Sequence, residues 1–135
     1  MTVTENMGQL AEQYRHVWDA DAPRDLVDQV FALDVVDHNP QPQQGPGREG
    51  IRQVLQVWHG AFPDLRVSTE DVVVSGDRLV LRWSGTGTHD GDQLGTPATH
   101  RHVRMTGIDI LRVDDGRIVE RWGESNDLQV MQQIA

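Results

Sequence analysis

The chain has 135 residues, which fits one domain over 1–135, and its 37% hydrophobic and 24% charged residues are typical of a globular protein. A net charge of −9, with no cluster of basic residues, argues against nucleic acid and anionic membranes as partners. Cysteine is absent and all 12 basic residues are Arg, which excludes thiol nucleophiles, thiolate metal sites and Schiff-base chemistry. No positive region followed by an apolar stretch marks a secretory leader, so we expect a cytoplasmic protein.

Three helices are predicted in the first half of the chain. Apolar residues recur at spacings of three and four over about Glu5–Ala20, which indicates an amphipathic helix. A short second helix begins near Pro23 and buries residues as far as Phe31, and an extended piece follows at Val35–Pro40. After a polar loop rich in Pro, Gln and Gly, the helical spacing returns over about Arg48–Ala61.

Strand patterns dominate the second half. Val67–Val74 and Leu79–Thr88 are rich in β-branched residues and flank a turn, so they predict a hairpin. Val103–Val113 and Arg117–Glu124 flank an Asp-Gly turn, one of the strongest short hairpin signals. A tail helix is predicted at about Asp127–Ile134. Helices first and four long strands after them predict an α+β fold, with the helices on one face of a curved antiparallel sheet.

Several short segments, in one order along nearly the whole chain, carry a resemblance to a known family. They are Gly47–Arg52, Ala61–Leu65, Gly87–His89, Gly95–Pro97, Gly107–Ile110 and Asp115–Glu120, followed by Trp122. Through them the sequence resembles the SnoaL-like polyketide cyclases, which belong to the nuclear transport factor 2-like superfamily. The resemblance implies a cone-shaped sheet that encloses a pocket. It also implies closure of an aromatic polyketide ring without a metal or an organic cofactor.

The same resemblance implies which positions carry the chemistry. The aldol-type cyclases of this family have an Asn before a Pro after the second helix, a His on the third long strand and a catalytic Asp near the end of the fourth. In this sequence those positions hold Asn39, Asp109 and Gly123. A glycine performs no acid–base chemistry, so the aldol mechanism does not transfer unchanged, and proton transfer by another group in the pocket stays an open alternative.

Strand alternation makes Asp109 the leading catalytic candidate. If Asp109 points into the cone, Met105 shares its face, because residues two apart in a strand do. Hairpin registers of the usual loop lengths bring Asp109 opposite a residue between Arg121 and Gly123, and the parity that turns Gly123 inward also turns Arg121 inward. Asp109 can then serve as a general base with Arg121 as its electrostatic partner; the alternative is a purely structural ion pair.

Three further polar residues are candidates for the site. His38 and Asn39 lie after the second helix, where we expect the mouth of the cone. His38 can shuttle a proton and Asn39 can bind substrate, whereas the alternative for both is an Asx-type cap that orders the turn. Tyr14, on the apolar face of the first helix, is either a donor to a substrate carbonyl or an amphipathic core residue.

The remaining site residues are apolar or small. The expected substrate-binding residues are Trp18, Val54, Trp58 and Met105, together with Gly123 at the family's acidic position. His100 and His102 share a strand face, which raises the question of a metal site. Strand parity turns both away from the cone and no carboxylate completes a three-ligand set, so we expect neither a metal nor another cofactor.

These observations predict a cofactor-independent cyclase or isomerase that acts on a hydrophobic, oxygenated small molecule of polyketide type. One alternative is an epoxide hydrolase or epoxide-opening cyclase of the same fold, which needs two carboxylates with an Arg between them; Asp37 and Glu124 are imperfect candidates for the second one. Another is a non-catalytic small-molecule-binding protein. We also expect a homodimer through the exposed face of the sheet, where parity places Arg82, Arg104, Ile108, Ile110, Arg112 and Trp122.

Overall fold

The structure, a computed structural model, describes residues 2–135 and has the predicted α+β architecture. Its elements in chain order are α1 Val3–Val17, α2 Leu26–Val30, β1 Phe31–Asp37, α3 Gly47–Ala61, β2 Arg66–Ser75, β3 Arg78–Thr88, β4 His102–Asp114, β5 Arg117–Ser125 and α4 Asp127–Gln133. Each predicted helix and long strand is present within a few residues of its expected bounds. Among the described residues, no helix combines the length and apolarity needed to span a membrane.

The strands form one curved, open sheet in the order β1-β5-β4-β3-β2. The pairs β2–β3, β3–β4 and β4–β5 are antiparallel, as predicted, whereas β1 pairs in parallel with β5. The second helix is therefore shorter than the sequence predicted, because Phe31 begins β1 opposite Ile118. The fully buried Phe31 side chain satisfies a helix pattern and a strand pattern equally well, and its packing against the sheet decides between them.

α1 begins and ends for identifiable reasons. At its start, the Thr2 hydroxyl accepts a hydrogen bond from the Glu5 N–H and the Glu5 carboxylate accepts one from the Thr2 N–H, which forms a capping box. The helix was expected to reach Ala20 but stops at Val17. Beyond it, the buried Asp19 carboxylate accepts a hydrogen bond from the backbone N–H of Val67 at 2.8 Å, which ties the chain after α1 to β2.

The helices cover the concave face of the sheet and leave the other face exposed. One core cluster joins α1, α2 and β1 to the middle strands, and a second joins the end of α3 and α4 to the ends of β2 and β4. The two faces alternate along β4, because Leu111 is fully buried whereas Ile110 is 41% exposed. The concave side is therefore the side on which an enclosed site can form.

Leu111→Ala should lower the free energy of unfolding by about 2 to 5 kcal/mol, since it leaves a cavity at a position with no exposed surface. Leu128→Ala removes the same atoms from a side chain that is 74% exposed on α4 and should change that free energy by less than about 0.5 kcal/mol. Urea denaturation followed by circular dichroism measures both. Equal losses in the two variants would contradict the placement of the core.

Candidate functional site

A cavity opens between α1, α3 and the concave face of the sheet. Its empty space, including the open solvent at its mouth, is about 840 Å³. Seven of the residues predicted for the site line it: Tyr14, Trp18, Val54, Trp58, Met105, Asp109 and Arg121. Its apolar wall also includes Ile51, Leu65, Val67, Leu81, Trp83 and Val130, and its remaining polar residues are Arg15, Asp37, Gln41, Gln44, Thr69, Ser125, Asn126 and Asp127. The cavity is thus an apolar space with a small number of charged groups.

Asp109 lies at the centre of the charged part of the cavity and is only 2% exposed. It stands on β4 directly opposite Gly123 of β5. Met105 and Leu111 on the same strand face are also buried, which matches the alternation that the sequence predicted. A carboxylate in these surroundings loses its hydration and requires hydrogen-bond donors from the protein.

Tyr14 and Arg121 supply those donors. The Tyr14 hydroxyl donates to Asp109 Oδ2 at 2.5 Å. Arg121 donates from Nε to the Tyr14 oxygen at 3.0 Å and from Nη2 to Asp109 Oδ1 at 3.5 Å. The three side chains come from α1, β4 and β5. They form one hydrogen-bonded network, although Tyr14 is 95 positions from Asp109 and 107 positions from Arg121 along the chain.

A second carboxylate, Asp37, completes the charged cluster. Arg121 Nη1 lies 3.1 and 3.2 Å from the two oxygens of Asp37, whose side chain is 9% exposed. The parallel pairing of β1 with β5 puts Asp37 beside Arg121 in the register of the sheet. Arg121 therefore lies between two carboxylates. Sequence reasoning gave Asp37 only as an imperfect candidate, because the alternation within β1 does not reveal a parallel partner.

The surroundings shift the acidity of all three network groups. Burial raises the pKa of Asp109 above its ordinary value, and the opposing effects of Arg121 and Tyr14 do not reverse this. Burial, together with the negative charge of Asp109, also raises the pKa of Tyr14, so the phenol keeps its proton. Burial by itself would lower the pKa of Arg121, but Tyr14, Asp109 and Asp37 raise it, so the guanidinium stays charged.

Comparison with known proteins identifies the family. Residues 8–134 match the family described as SnoaL-like polyketide cyclase. The chain belongs to this family. A search of curated proteins gives no significant match. The resemblance drawn from the sequence segments is therefore confirmed for nearly the whole chain.

Solved structures of similar proteins have the same fold as this SnoaL-like chain. TsrD from Streptomyces laurentii is 27% identical with a TM-score of 0.88, and the match covers 100% of this chain and 98% of that one. A candidate polyketide cyclase from Bacillus cereus ATCC 10987 is 28% identical with a TM-score of 0.86 over 99% and 85% of the two chains. IdmH from Streptomyces antibioticus, also a candidate polyketide cyclase, is 30% identical with a TM-score of 0.80 over 94% and 96%.

Gly123, at the position where the family resemblance implies a catalytic Asp, leaves space that its neighbours occupy. A Cβ atom added to Gly123 would lie 2.5 Å from Asp109 Oδ1 and 2.7 Å from Arg121 Cζ. Both distances are far below ordinary van der Waals contact. The glycine is therefore what allows the Asp109 carboxylate and the Arg121 guanidinium to meet at this point of the SnoaL-like cone.

His38 and Asn39 lie outside the lining of the cavity. The His38 ring stacks on Trp122 at 4.5 Å, and its Nε2 lies 2.8 Å from Glu120 Oε2. The Asn39 side chain accepts a hydrogen bond from the Gly123 N–H at 3.0 Å and donates to Glu124 at 3.2 Å. β1 ends at Asp37 on the concave side, so strand alternation turns His38 to the outer face. Neither residue lines the cavity in this structure, and Asn39 orders the chain beside Gly123 through its hydrogen bond to the Gly123 N–H.

The histidines that raised the question of a metal do not form a cluster. His100 is exposed and pairs with Asp90 at 2.7 Å, whereas His102 lies 3.3 Å from the Thr88 hydroxyl. Within residues 2–135, the one group with suitable ligand spacing is His16, Asp19 and Asp21. The Asp19 carboxylate there already accepts hydrogen bonds from Arg15 and from a backbone N–H. We assign no metal to either group.

Gly123→Ala should separate Asp109 from Arg121 and lower the free energy of unfolding by about 1 to 3 kcal/mol, because the added methyl group overpacks the charged network. Gly8→Ala is the matched control. A Cβ at Gly8 meets nothing within 4 Å, so this change inside α1 should stabilise the protein by up to about 1 kcal/mol. Denaturant titration of both variants checks the pair, and an unaffected Gly123→Ala protein would contradict the packing described here.

Proposed function

We propose that this SnoaL-like protein is a cofactor-independent cyclase or isomerase that transfers a proton on a hydrophobic, oxygenated small molecule of polyketide type. The observation that carries the proposal is the buried Asp109, which lines an apolar cavity and is held by Tyr14 and Arg121. Burying a carboxylate costs several kcal/mol unless it is compensated, so folding alone favours an apolar residue at this position. A catalytic base accounts for the carboxylate.

In the proposed reaction Asp109 removes a proton from a carbon next to a substrate carbonyl. The C–H bond breaks, an O–H bond forms on Asp109, and the electron pair moves to the carbonyl oxygen as an enolate. The charged Arg121 stabilises that oxygen, and Tyr14 orients the carboxylate through its hydrogen bond. The enolate carbon then attacks a second carbonyl of the same molecule, and Asp109 returns the proton to the new alkoxide. No electrons are gained or lost, so the step needs no redox partner.

The departure from the family pattern at Gly123 is compatible with this chemistry. The family resemblance implies an acidic residue on β5, whereas here the carboxylate projects from Asp109 on β4 into the space beside the glycine. The acid–base group thus reaches the same part of the cone from the neighbouring strand. The Asp109 pKa, raised by burial, moves toward neutrality, which suits a group that must both accept and return a proton.

Opening of an epoxide is a second candidate function, favoured by one observation. Arg121 lies between the carboxylates of Asp37 and Asp109, which is the arrangement that the epoxide-opening alternative requires. The buried Asp109, with its raised pKa, would protonate the epoxide oxygen as the C–O bond breaks. Asp37 would take a proton from the attacking water or hydroxyl group.

Asp109→Asn should lower turnover by at least about 100-fold, because both reactions need its proton. The assay incubates the protein with poly-β-ketone methyl esters and with apolar epoxides, and Asp34→Asn, an exposed acid on β1, is the matched control.

Because the folded-state pKa of Asp109 is raised, its stabilising contribution is lost as the pH rises through that pKa. The variant should therefore gain stability relative to wild type as the pH rises above the ordinary range of a carboxyl pKa.

The pattern of results separates the candidate functions. Turnover of β-ketone esters but not epoxides supports the cyclase or isomerase. If epoxides react instead, turnover should also require Asp37, and a hydrolase would incorporate ¹⁸O from labelled water. Near-normal turnover with lower stability in Asp109→Asn would identify a structural ion pair. Binding of these compounds without any turnover would identify a non-catalytic small-molecule-binding protein.

We further propose that a second copy of the chain covers the exposed face of the sheet. Ile108 and Ile110 on this face are 50% and 41% exposed, and the Arg78 guanidinium lies 5.0 Å from the centre of the Trp122 ring. Charged residues of both signs surround these apolar groups, as in the ion pair between Arg82 and Asp71 at 2.6 Å. A surface with mixed charges and an apolar centre can be self-complementary across a two-fold axis.

Sedimentation velocity should show a dimer for the wild-type protein and a monomer for Ile108→Glu, because the variant places a charge at the centre of the proposed interface. Leu128→Glu is the control, since Leu128 is 74% exposed but lies on α4. It should leave the dimer intact. A wild-type monomer that persists at high protein concentration would overturn the assembly.

A further inference from the structure

Trp83 occupies a position beside Asp109 that the sequence analysis did not single out. Trp83 on β3 pairs with Gly107 on β4, which is two residues before Asp109 and on the same face of the strand. A Cβ atom added to Gly107 would lie 2.7 Å from Trp83 Cε2, the ring carbon bonded to the indole nitrogen. The nitrogen-bearing edge of the indole therefore lies over Gly107, on the diagonal toward Asp109.

The indole nitrogen is a buried donor without a partner. Trp83 lines the cavity, and its Nε1 has no hydrogen-bond partner among the described residues. A buried N–H that lacks an acceptor is costly, and native proteins retain few such groups. The nearby Tyr14 hydroxyl and Arg121 guanidinium, by contrast, are both hydrogen-bonded. Trp18 Nε1 in the same cavity is also unpaired, and of the two indoles Trp83 is the one that stands on the strand paired with that of Asp109.

We propose that Trp83 is a positioning residue that donates its indole N–H to the Asp109 carboxylate when that carboxylate is ionised. This inference rests on the proposed function, in which Asp109 alternates between its ionised and protonated forms. Gly107 contributes by leaving the space in which the ring lies.

The other groups that face Asp109 define what Trp83 adds. Tyr14 donates from α1 and Arg121 from β5, and both favour the ionised carboxylate, whereas the negative charge of Asp37 on β1 opposes it. The Trp83 indole approaches from β3, and its N–H dipole acts in the same direction as Tyr14 and Arg121, lowering the pKa of Asp109 against the effect of burial. The indole therefore helps to keep the base ionised in an apolar cavity.

The contact can be read directly by NMR in the ¹⁵N-labelled full-length protein. Ionisation of Asp109 should move the Trp83 indole proton resonance downfield, because a hydrogen bond to a carboxylate deshields it. In Asp109→Asn the resonance should stay at its upfield position at every pH. The Trp58 indole, which lines the cavity from α3, serves as the internal reference and should not follow Asp109. A Trp83 resonance that is identical in wild type and Asp109→Asn at every pH would overturn the proposal.

Trp83→Phe tests the consequence for the reaction. It retains an aromatic ring and removes the N–H, so the acid limb of the pH profile of kcat/KM should move to higher pH. Below that limb kcat/KM should fall by at least about tenfold, as expected for a lost hydrogen bond to a charged group. Trp122→Phe removes an indole N–H from the outer face and should leave the limb in place.

The two measurements distinguish the failure of this proposal from the failure of the proposed function. If the pH profile of Trp83→Phe coincides with that of wild type, Trp83 does not position Asp109 and the inference is wrong. If Asp109→Asn retains full turnover, the proposed function is wrong, while the indole resonance still reports whether the contact exists. A simple loss of packing would lower stability without moving the acid limb.

Discussion

A carboxylate on the concave face of a sheet loses its water when helices close over it, and the cost is several kcal/mol unless donors replace that water. Asp109 imposes this requirement on the centre of the fold. Tyr14 meets it from α1 and Arg121 from β5, while the Arg121 charge is in turn balanced by Asp37. The position of α1 over the sheet is thus linked to the same network that provides the proposed chemistry.

Two glycines make this network sterically possible. Gly107 and Gly123 flank Asp109 on its own strand and on the neighbouring one. A Cβ atom at Gly107 would clash with the Trp83 ring, and one at Gly123 would clash with Asp109 and Arg121. Small residues at these two points allow large polar side chains to approach the sheet backbone. The space beside Gly123, where the family resemblance implies an acidic residue, is therefore filled here by Asp109 and Arg121.

The edge strand β1 has a larger role than its length indicates. Its parallel pairing with β5 brings Asp37 beside Arg121, and the backbone N–H of His38 donates to the Arg121 carbonyl at 2.8 Å. This register turns Asp37 into the cavity and His38 to the outer face, where it stacks on Trp122. The same strand thus brings the second carboxylate, Asp37, into the cavity and places His38, a candidate from the sequence, outside it.

Helical and strand periodicity, the Asp-Gly turn and the family segments were enough to predict the α+β class, the element order and the inward face of Asp109, because these depend on local spacing. Seven of the residues that line the cavity followed from the same spacing. The parallel pairing of β1, the meeting of Asp37 with Arg121 and the place of Trp83 over Gly107 depended on the tertiary structure. They join residues from distant parts of the chain, and periodicity assigns a residue to a face of its own element without specifying which neighbour that face meets.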